Sequence, residues 1–326
     1  MGALPEFELL YPTSAADAVK LRAAHPASRF IAGGTDLLPN LRRGLAQPDA
    51  VIDISRITEL GGLDVDVDGL HIGAGVPLAR IAGDSRIRDR WTALAEAAAS
   101  VAGPTHRTSA TLGGNLCLDT RCMYYNQSEF WREGNQFCMK LKGDVCRVAK
   151  KSKRCLAAFS GDVAPALIAL GATVELLGTG GSRCIPLAEM YRDDGKAWLA
   201  LAPDELLLRV HVPVGEGWVS AYEKVRVRGA IDFPLAGVAV SLKRKGGVLE
   251  DLRIACTGVA SRPPAVDGLD EIKGKPLDAA ALKTITVQTD VAAGAMKTTV
   301  VDALYRRGTA TTLAKRITER LWNSAS

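Results

Sequence analysis

The chain has 326 residues, of which 47% are hydrophobic and 24% charged, a balance that excludes a disordered or fibrous protein. Its 41 Lys and Arg against 36 Asp and Glu leave a net charge of +5, and no apolar run approaches the roughly 20 residues needed to cross a bilayer. The opening MGALPEFELL carries Glu6 and Glu8 and lacks the basic and apolar regions of a secretory leader, so the expectation is a cytoplasmic protein without a membrane segment.

A strand is predicted over 29–32, running into Gly33-Gly34. Thr35 is then placed to cap a helix, with Pro39 in its first turn and an end near Arg43. Strands follow over 50–54 and 70–75, a helix begins at 78–83, and the Ala-rich stretch 91–101 reads as helical. A further helix covers 165–170 and a strand 173–177. Segments 205–212 and 220–227 alternate as strands, separated by the breaker Pro213-Val214-Gly215-Glu216-Gly217. Beyond it, 235–242 and 249–257 suit antiparallel strands and 299–322 a helix. The pattern is mixed α+β with a break near residue 215.

Three turns could hold a phosphate-bearing ligand. The first is Ile31 to Leu38, a strand followed by two glycines and a helix start. Glycine lets the backbone approach a phosphate, and free N–H groups at a helix start bind anions. It is not the G-x-G-x-x-G fingerprint, so a plain strand–turn–helix connection fits as well. The second, Thr111-Leu112-Gly113-Gly114-Asn115-Leu116-Cys117, also fits a hairpin or a helix end. The third, Ser160 to Leu167, places Asp162 where a helix N-cap would stand. Gly73-Ala74-Gly75 lacks a third glycine and reads as a strand end.

The cysteines are unevenly placed. Five of the seven (Cys117, Cys122, Cys138, Cys146 and Cys155) fall between residues 117 and 155. The stretch 117–160 holds nine basic and four acidic residues, so it carries the whole net charge. Clustered thiols in a reducing compartment point to metal or redox chemistry rather than disulfides. From Cys122 onward the intervals are 15, 7 and 8 residues, without a Cys-x-x-Cys. That spacing suits tetrahedral zinc, an iron–sulfur cluster or plainly buried thiols. The interleaved Tyr124, Tyr125, Phe130, Trp131 and Phe137 would also suit a nucleic-acid-binding ribbon, but the charge is modest and confined to one segment, which weighs against nucleic acid.

Taken in order, Tyr11-Pro12-Thr13-Ser14, AGGTDLLPNL, HIGAGVPLARI, TLGGNLC, GDVAPAL and the stretch from Tyr222-Glu223-Lys224 to Asp232-Phe233 resemble, over nearly the whole chain, the flavoprotein subunits of the molybdenum hydroxylase family. The resemblance implies an α+β, two-subdomain FAD-binding fold over 1–55 and 56–216, with a smaller C-terminal α+β domain over 217–326 built on an antiparallel sheet. It implies FAD in an extended form between the subdomains. Ala32, Gly33, Gly34, Thr35, Asp36 and Leu37 would wrap the pyrophosphate. Val101 and Ala102 would line the flavin or its ribityl chain. Thr111, Gly114 and Asn115 would bond the cofactor from the second loop, and Asp162 would bind a polar part of it. Leu207 would pack near the ring. Lys224 would approach its pyrimidine edge, with Glu223 as the inward residue if the strand is read one position out of register.

In the family pattern the second and third turns lie close together. Here Asn115 and Asp162 are 47 positions apart, so an insertion of about 117–158 separates them. The family commonly has a cysteine at the Cys117 position, which leaves Cys122, Cys138, Cys146 and Cys155 as a ligand set. A four-cysteine insertion here resembles the 4-hydroxybenzoyl-CoA reductase branch, which implies one Fe4S4 cluster. It further implies electrons passing from reduced ferredoxin through Fe4S4 and FAD to a small Fe2S2 subunit and a large molybdopterin subunit. The reaction implied is dehydroxylation of 4-hydroxybenzoyl-CoA to benzoyl-CoA, in a dimer of heterotrimers. His25, His71, His106 and His211 are scattered, and no catalytic residue is expected in this chain. The alternative is the FAD subunit of an oxidative hydroxylase whose insertion holds a structural metal.

Overall fold

Parallel strands need crossovers, and the first residues supply them. In the computed structural model, which describes residues 3–324, β1 (Glu8–Leu10), β2 (Arg29–Ile31) and β3 (Ala50–Asp53) form a parallel sheet in the order β1-β3-β2. Helix α1 (Ala15–Ala24) connects β1 to β2, and α2 (Leu37–Arg42) lies between β2 and β3. Ser14 starts α1, its Oγ accepting from the Asp17 N–H at 3.1 Å. The capping residue of α2 is Asp36 rather than Thr35, and its side chain makes no cap bond. Its carboxylate is engaged elsewhere, as described below.

The second sheet is antiparallel. It has the order β4-β5-β8-β6-β7, from β4 (Leu63–Val65), β5 (Gly69–Gly73), β6 (Thr173–Gly178), β7 (Gly181–Pro186) and β8 (Leu206–Pro213). Between β5 and β6 run α3 (Leu78–Gly83), α4 (Ser85–Arg90), α5 (Thr92–Ser100), α6 (Pro104–Arg107), α7 (Leu112–Leu116), α8 (Glu129–Gly134) and α9 (Val163–Ala169). Leu70, Ile72, Trp91, Leu94, Phe159, Leu167 and Val210 are buried in one core between this sheet and the helices. Burying such side chains contributes about 1.5–3 kcal/mol each.

The third sheet, order β11-β10-β9, is the antiparallel meander β9 (Trp218–Val225), β10 (Ala236–Lys245) and β11 (Val248–Thr257). Helices α10 (Ala279–Ala292) and α11 (Ala303–Ser324) close its apolar face over Val240, Ile254, Ile285, Leu313 and Ile317. The other face meets the second unit through small residues. Ala93 and Ala97 of α5 and Ala166 and Ala169 of α9 cluster with Tyr222 and Ala239. Small side chains let helix and sheet backbones approach closely there.

The basic, cysteine-rich insertion has little regular structure. Its neck is an isolated bridge between Arg121 and Ala158, whose backbone groups exchange two hydrogen bonds of 2.7 Å. Inside, α8 is capped by Ser128, and Gln136, Phe137 and Lys142 take left-handed backbone angles. Such conformations disfavour helix and strand alike. Among the described residues no helix is long and apolar enough to cross a membrane.

Candidate functional site

The first Gly turn is held open by contacts of its glycines. A Cβ on Gly33 would stand 1.8 Å from the Ser109 carbonyl oxygen, so only glycine permits this approach between the 32–37 loop and the segment before α7. Gly34 follows with φ +68°. Among the described residues, the backbone N–H groups of Gly33, Gly34, Thr35 and Asp36 donate to no other protein group. Gly33 and Thr35 are exposed. The loop therefore presents unsatisfied donors at a helix start, the arrangement that suits a pyrophosphate.

The second turn is neither a hairpin nor a helix end. Thr111 caps α7, its Oγ1 accepting from the Gly114 N–H at 3.1 Å. Asn115 Oδ1 accepts from the Val163 N–H at 3.1 Å, which ties α7 to the start of α9 across the whole insertion. Just before α6, Ala102 has φ +43°, a left-handed backbone that a non-glycine residue rarely adopts. Its carbonyl accepts from the Ile231 N–H at 3.2 Å, and the Val101 carbonyl accepts from Arg107 at 2.8 Å.

Asp162 stands at the N-cap position of α9, but its side chain makes no cap bond. Its carboxylate accepts from the Tyr222 hydroxyl at 2.6 Å and pairs with Lys224 Nζ at 2.9 Å, and both ionic side chains are 4% exposed. Burial pushes the Asp162 carboxyl up and the Lys224 ammonium down, against the pull of each on the other. Lys224, not Glu223, faces inward; Glu223 pairs with Arg320 at 2.9 Å and with Arg316 on α11. Leu207 lies in the core of the second unit, across from Leu176.

Cys122, Cys138, Cys146 and Cys155 are all buried and line one small cavity together with Tyr125, Lys140 and Arg147. Cys117 lies outside it, beside the main core, and Cys256 lies in the third unit. Burial pushes the Cys122 thiol up to about 12 and that of Cys155 to about 11. Among the described residues, no three His, Cys, Asp or Glu side chains are gathered tightly enough to hold a single metal ion. Four thiols are a donor set that an iron–sulfur cluster takes, as does tetrahedral zinc. The cavity that the four thiols line is about 10 Å³.

Arg121, counted in the sequence only as one charge among many, joins the two sites. Its backbone forms the neck of the insertion, next to Cys122. Its guanidinium pairs with Asp36 and donates to Asn40 Oδ1 at 2.8 Å. Asp36 is therefore occupied by Arg121 and Asn40, and burial raises its carboxyl above the ordinary value. Tyr222 was likewise open to discovery, because it stands two positions from Lys224 on one strand and so shares its face.

Comparisons with known proteins agree with this geometry. Residues 5–215 match the family described as FAD binding domain in molybdopterin dehydrogenase, and 220–321 match the CO dehydrogenase flavoprotein C-terminal domain. The chain belongs to this family of FAD-binding flavoprotein subunits of the molybdenum hydroxylases. It is 34% identical over 264 residues to the aldehyde oxidoreductase FAD-binding subunit PaoB of Escherichia coli (strain K12), covering 75% of this chain and 79% of that one. It is 27% identical to the carbon monoxide dehydrogenase medium chain of Afipia carboxidovorans, covering 96% of each. The fold superposes on a carbon monoxide dehydrogenase structure from Hydrogenophaga pseudoflava with a TM-score of 0.82 and 25% identity, over 99% of this chain and 100% of that one.

Proposed function

We propose that the chain is the FAD-binding medium subunit of an oxidative molybdenum hydroxylase and that its insertion carries an Fe4S4 cluster on Cys122, Cys138, Cys146 and Cys155. When bound, FAD exchanges electrons between two-electron and one-electron partners, and an Fe4S4 cluster adds a one-electron site. The N–H groups of residues 33–36 bind the pyrophosphate. Ala32 and Leu37 flank that loop, while Thr111, Gly114 and Asn115 hold the second loop against it. Val101 and Ala102 would line the flavin or its ribityl chain, and Leu207 would pack near the ring. Asp162 holds Lys224 in place as a buried cation at the boundary with the third sheet.

The observation that carries the reading is the convergence of four buried thiols on one cavity, inside an insertion whose neck residue, Arg121, grips Asp36 of the dinucleotide loop. The oxidative direction is supported by the relatives' names, which are aldehyde oxidoreductase, xanthine dehydrogenase and carbon monoxide dehydrogenase subunits. "Medium chain" supports partner chains, here proposed as a large molybdopterin subunit and a small Fe2S2 subunit, as a dimer of heterotrimers. The test is copurification with analysis of flavin, iron, zinc and molybdenum. One FAD with about four irons assignable to this chain is expected; one zinc and no cluster iron overturns the cluster.

A second reading, the 4-hydroxybenzoyl-CoA reductase subunit driven by ferredoxin, draws on the exposed Lys150, Lys151 and Lys153, which would suit an acidic electron donor. None of the relatives named above carries that activity. Formation of benzoyl-CoA from 4-hydroxybenzoyl-CoA and reduced ferredoxin by the purified complex would establish it over the oxidative reading.

A further inference from the structure

Lys140 stands two residues after Cys138, yet its side chain is only 5% exposed. Its Nζ donates to Asp119 Oδ1 at 2.8 Å, to Thr120 Oγ1 at 2.6 Å and to the Gly195 carbonyl at 2.6 Å. These three acceptors use all the donors an ammonium has. The rings of Tyr125 and Trp198 flank it at 4.9 and 4.7 Å. Fixing and desolvating so long a charged side chain is costly, so a lysine held this way keeps its charge in one place.

That place is the wall of the cysteine cavity. Lys140 and Arg147 line it, and no carboxylate does; Asp119, the counterion, stands behind Lys140. The ammonium stands close to one of the thiol-bearing residues, since Gly195, whose carbonyl it binds, donates its own N–H to the Cys155 carbonyl at 2.9 Å.

We propose that Lys140 is a positioning residue that raises the reduction potential of the cluster held by the four cysteines, an inference resting on the Fe4S4 reading above. Reduction by one electron adds a negative charge to a site that four thiolates already make anionic. A buried cation stabilises that added charge, and water screens it little. A raised potential suits a site that accepts electrons from the flavin, which is the oxidative direction.

The test is an anaerobic redox titration of the intact complex, followed by electron paramagnetic resonance, with iron and FAD counted for each variant. Lys140→Gln keeps a donor toward Gly195 and removes the charge. It should lower the equilibrium constant for cluster reduction at least tenfold, a fall of about 59 mV for one electron, with iron content unchanged. Lys140→Arg keeps the charge and should stay near the parent value. Lys153→Met, which removes an exposed and screened charge, should leave the potential in place. A Gln variant that retains its iron and the parent potential overturns the proposal. Loss of iron from both Lys140 variants also overturns it, because the residue would then serve the fold of the insertion alone. A parent complex without cluster iron overturns the cluster reading itself, and this inference with it.

Discussion

Arg121 and Asp36, separated by 85 positions, form the ion pair that joins the cysteine insertion to the dinucleotide loop. The Arg121 side chain is 10% exposed and that of Asp36 27%, and Asn40 hydrogen-bonds to both. Replacing Arg121 with Met leaves the Asp36 carboxylate half-buried without its cation. The expected loss of stability is about 2 kcal/mol, the scale of a hydrogen bond to a charged group. Because the guanidinium also fixes the neck of the insertion, urea unfolding should report the loss and the purified variant should retain less FAD.

Gly33 tolerates no side chain. Gly33→Ala would drive a methyl group into the Ser109 carbonyl and push the two loops apart, an overpacking cost of about 1–3 kcal/mol. The flavin-to-protein ratio of the variant, read from its absorbance spectrum, should fall severalfold while the third sheet remains folded. Full flavin occupancy would show that the loop contact is dispensable.

The buried Asp162–Lys224 pair links α9 to β9 across the Ala-rich interface. Removing one partner strands a charge, which costs about 3–5 kcal/mol. Lys224→Met should therefore destabilise the chain strongly. The double variant with Asp162→Asn should recover part of that loss, because no unpaired charge remains. Denaturant midpoints of the two single variants and the double variant measure this coupling.

Cys146→Ala should remove about four irons from the chain while FAD stays bound, since the thiols line a cavity separate from the Gly turns. Cys184→Ala, on the exposed β7, and Cys256→Ala, in the third core, should keep all of their iron. Iron and flavin assays on the three variants decide the ligand set.

Protonation gives a further check. The thiolate is the form that is alkylated and that binds iron. In cluster-free chain, burial holds Cys155 near about 11 and Cys122 near about 12, so both are protonated at neutral pH. Their alkylation should rise with pH through that range, Cys155 before Cys122, with exposed Cys184 modified first. Iron loading should release protons and improve as pH rises. Peptide mass spectrometry after brief exposure to iodoacetamide follows each site.

The strands and most helices were legible because apolar periodicity and Gly or Pro breaks mark them directly, as at 70–75 and 205–212. Thr35 was misread as the cap of α2, whereas Asp162 does hold the N-cap position of α9 without using its side chain as a cap. A capping preference is local, whereas the carboxylates of Asp36 and Asp162 are claimed by Arg121, Tyr222 and Lys224 from distant parts of the chain. The four cysteines could be singled out from position, but spacing could not say that they share a cavity, because the left-handed turns at Gln136, Phe137 and Lys142 carry no periodic signal. Lys140 was one of nine basic residues in the stretch 117–160, and its burial carried no signal there because it depends on Asp119, Thr120 and Gly195 meeting around it.

The two-bond bridge between Arg121 and Ala158 has an evolutionary consequence. It brings the ends of the insertion side by side, so the chain leaves the flavin scaffold and returns to it at nearly one point. A segment with adjoining ends behaves as a graft: it can be acquired, exchanged or excised without altering the register of the sheets on either side.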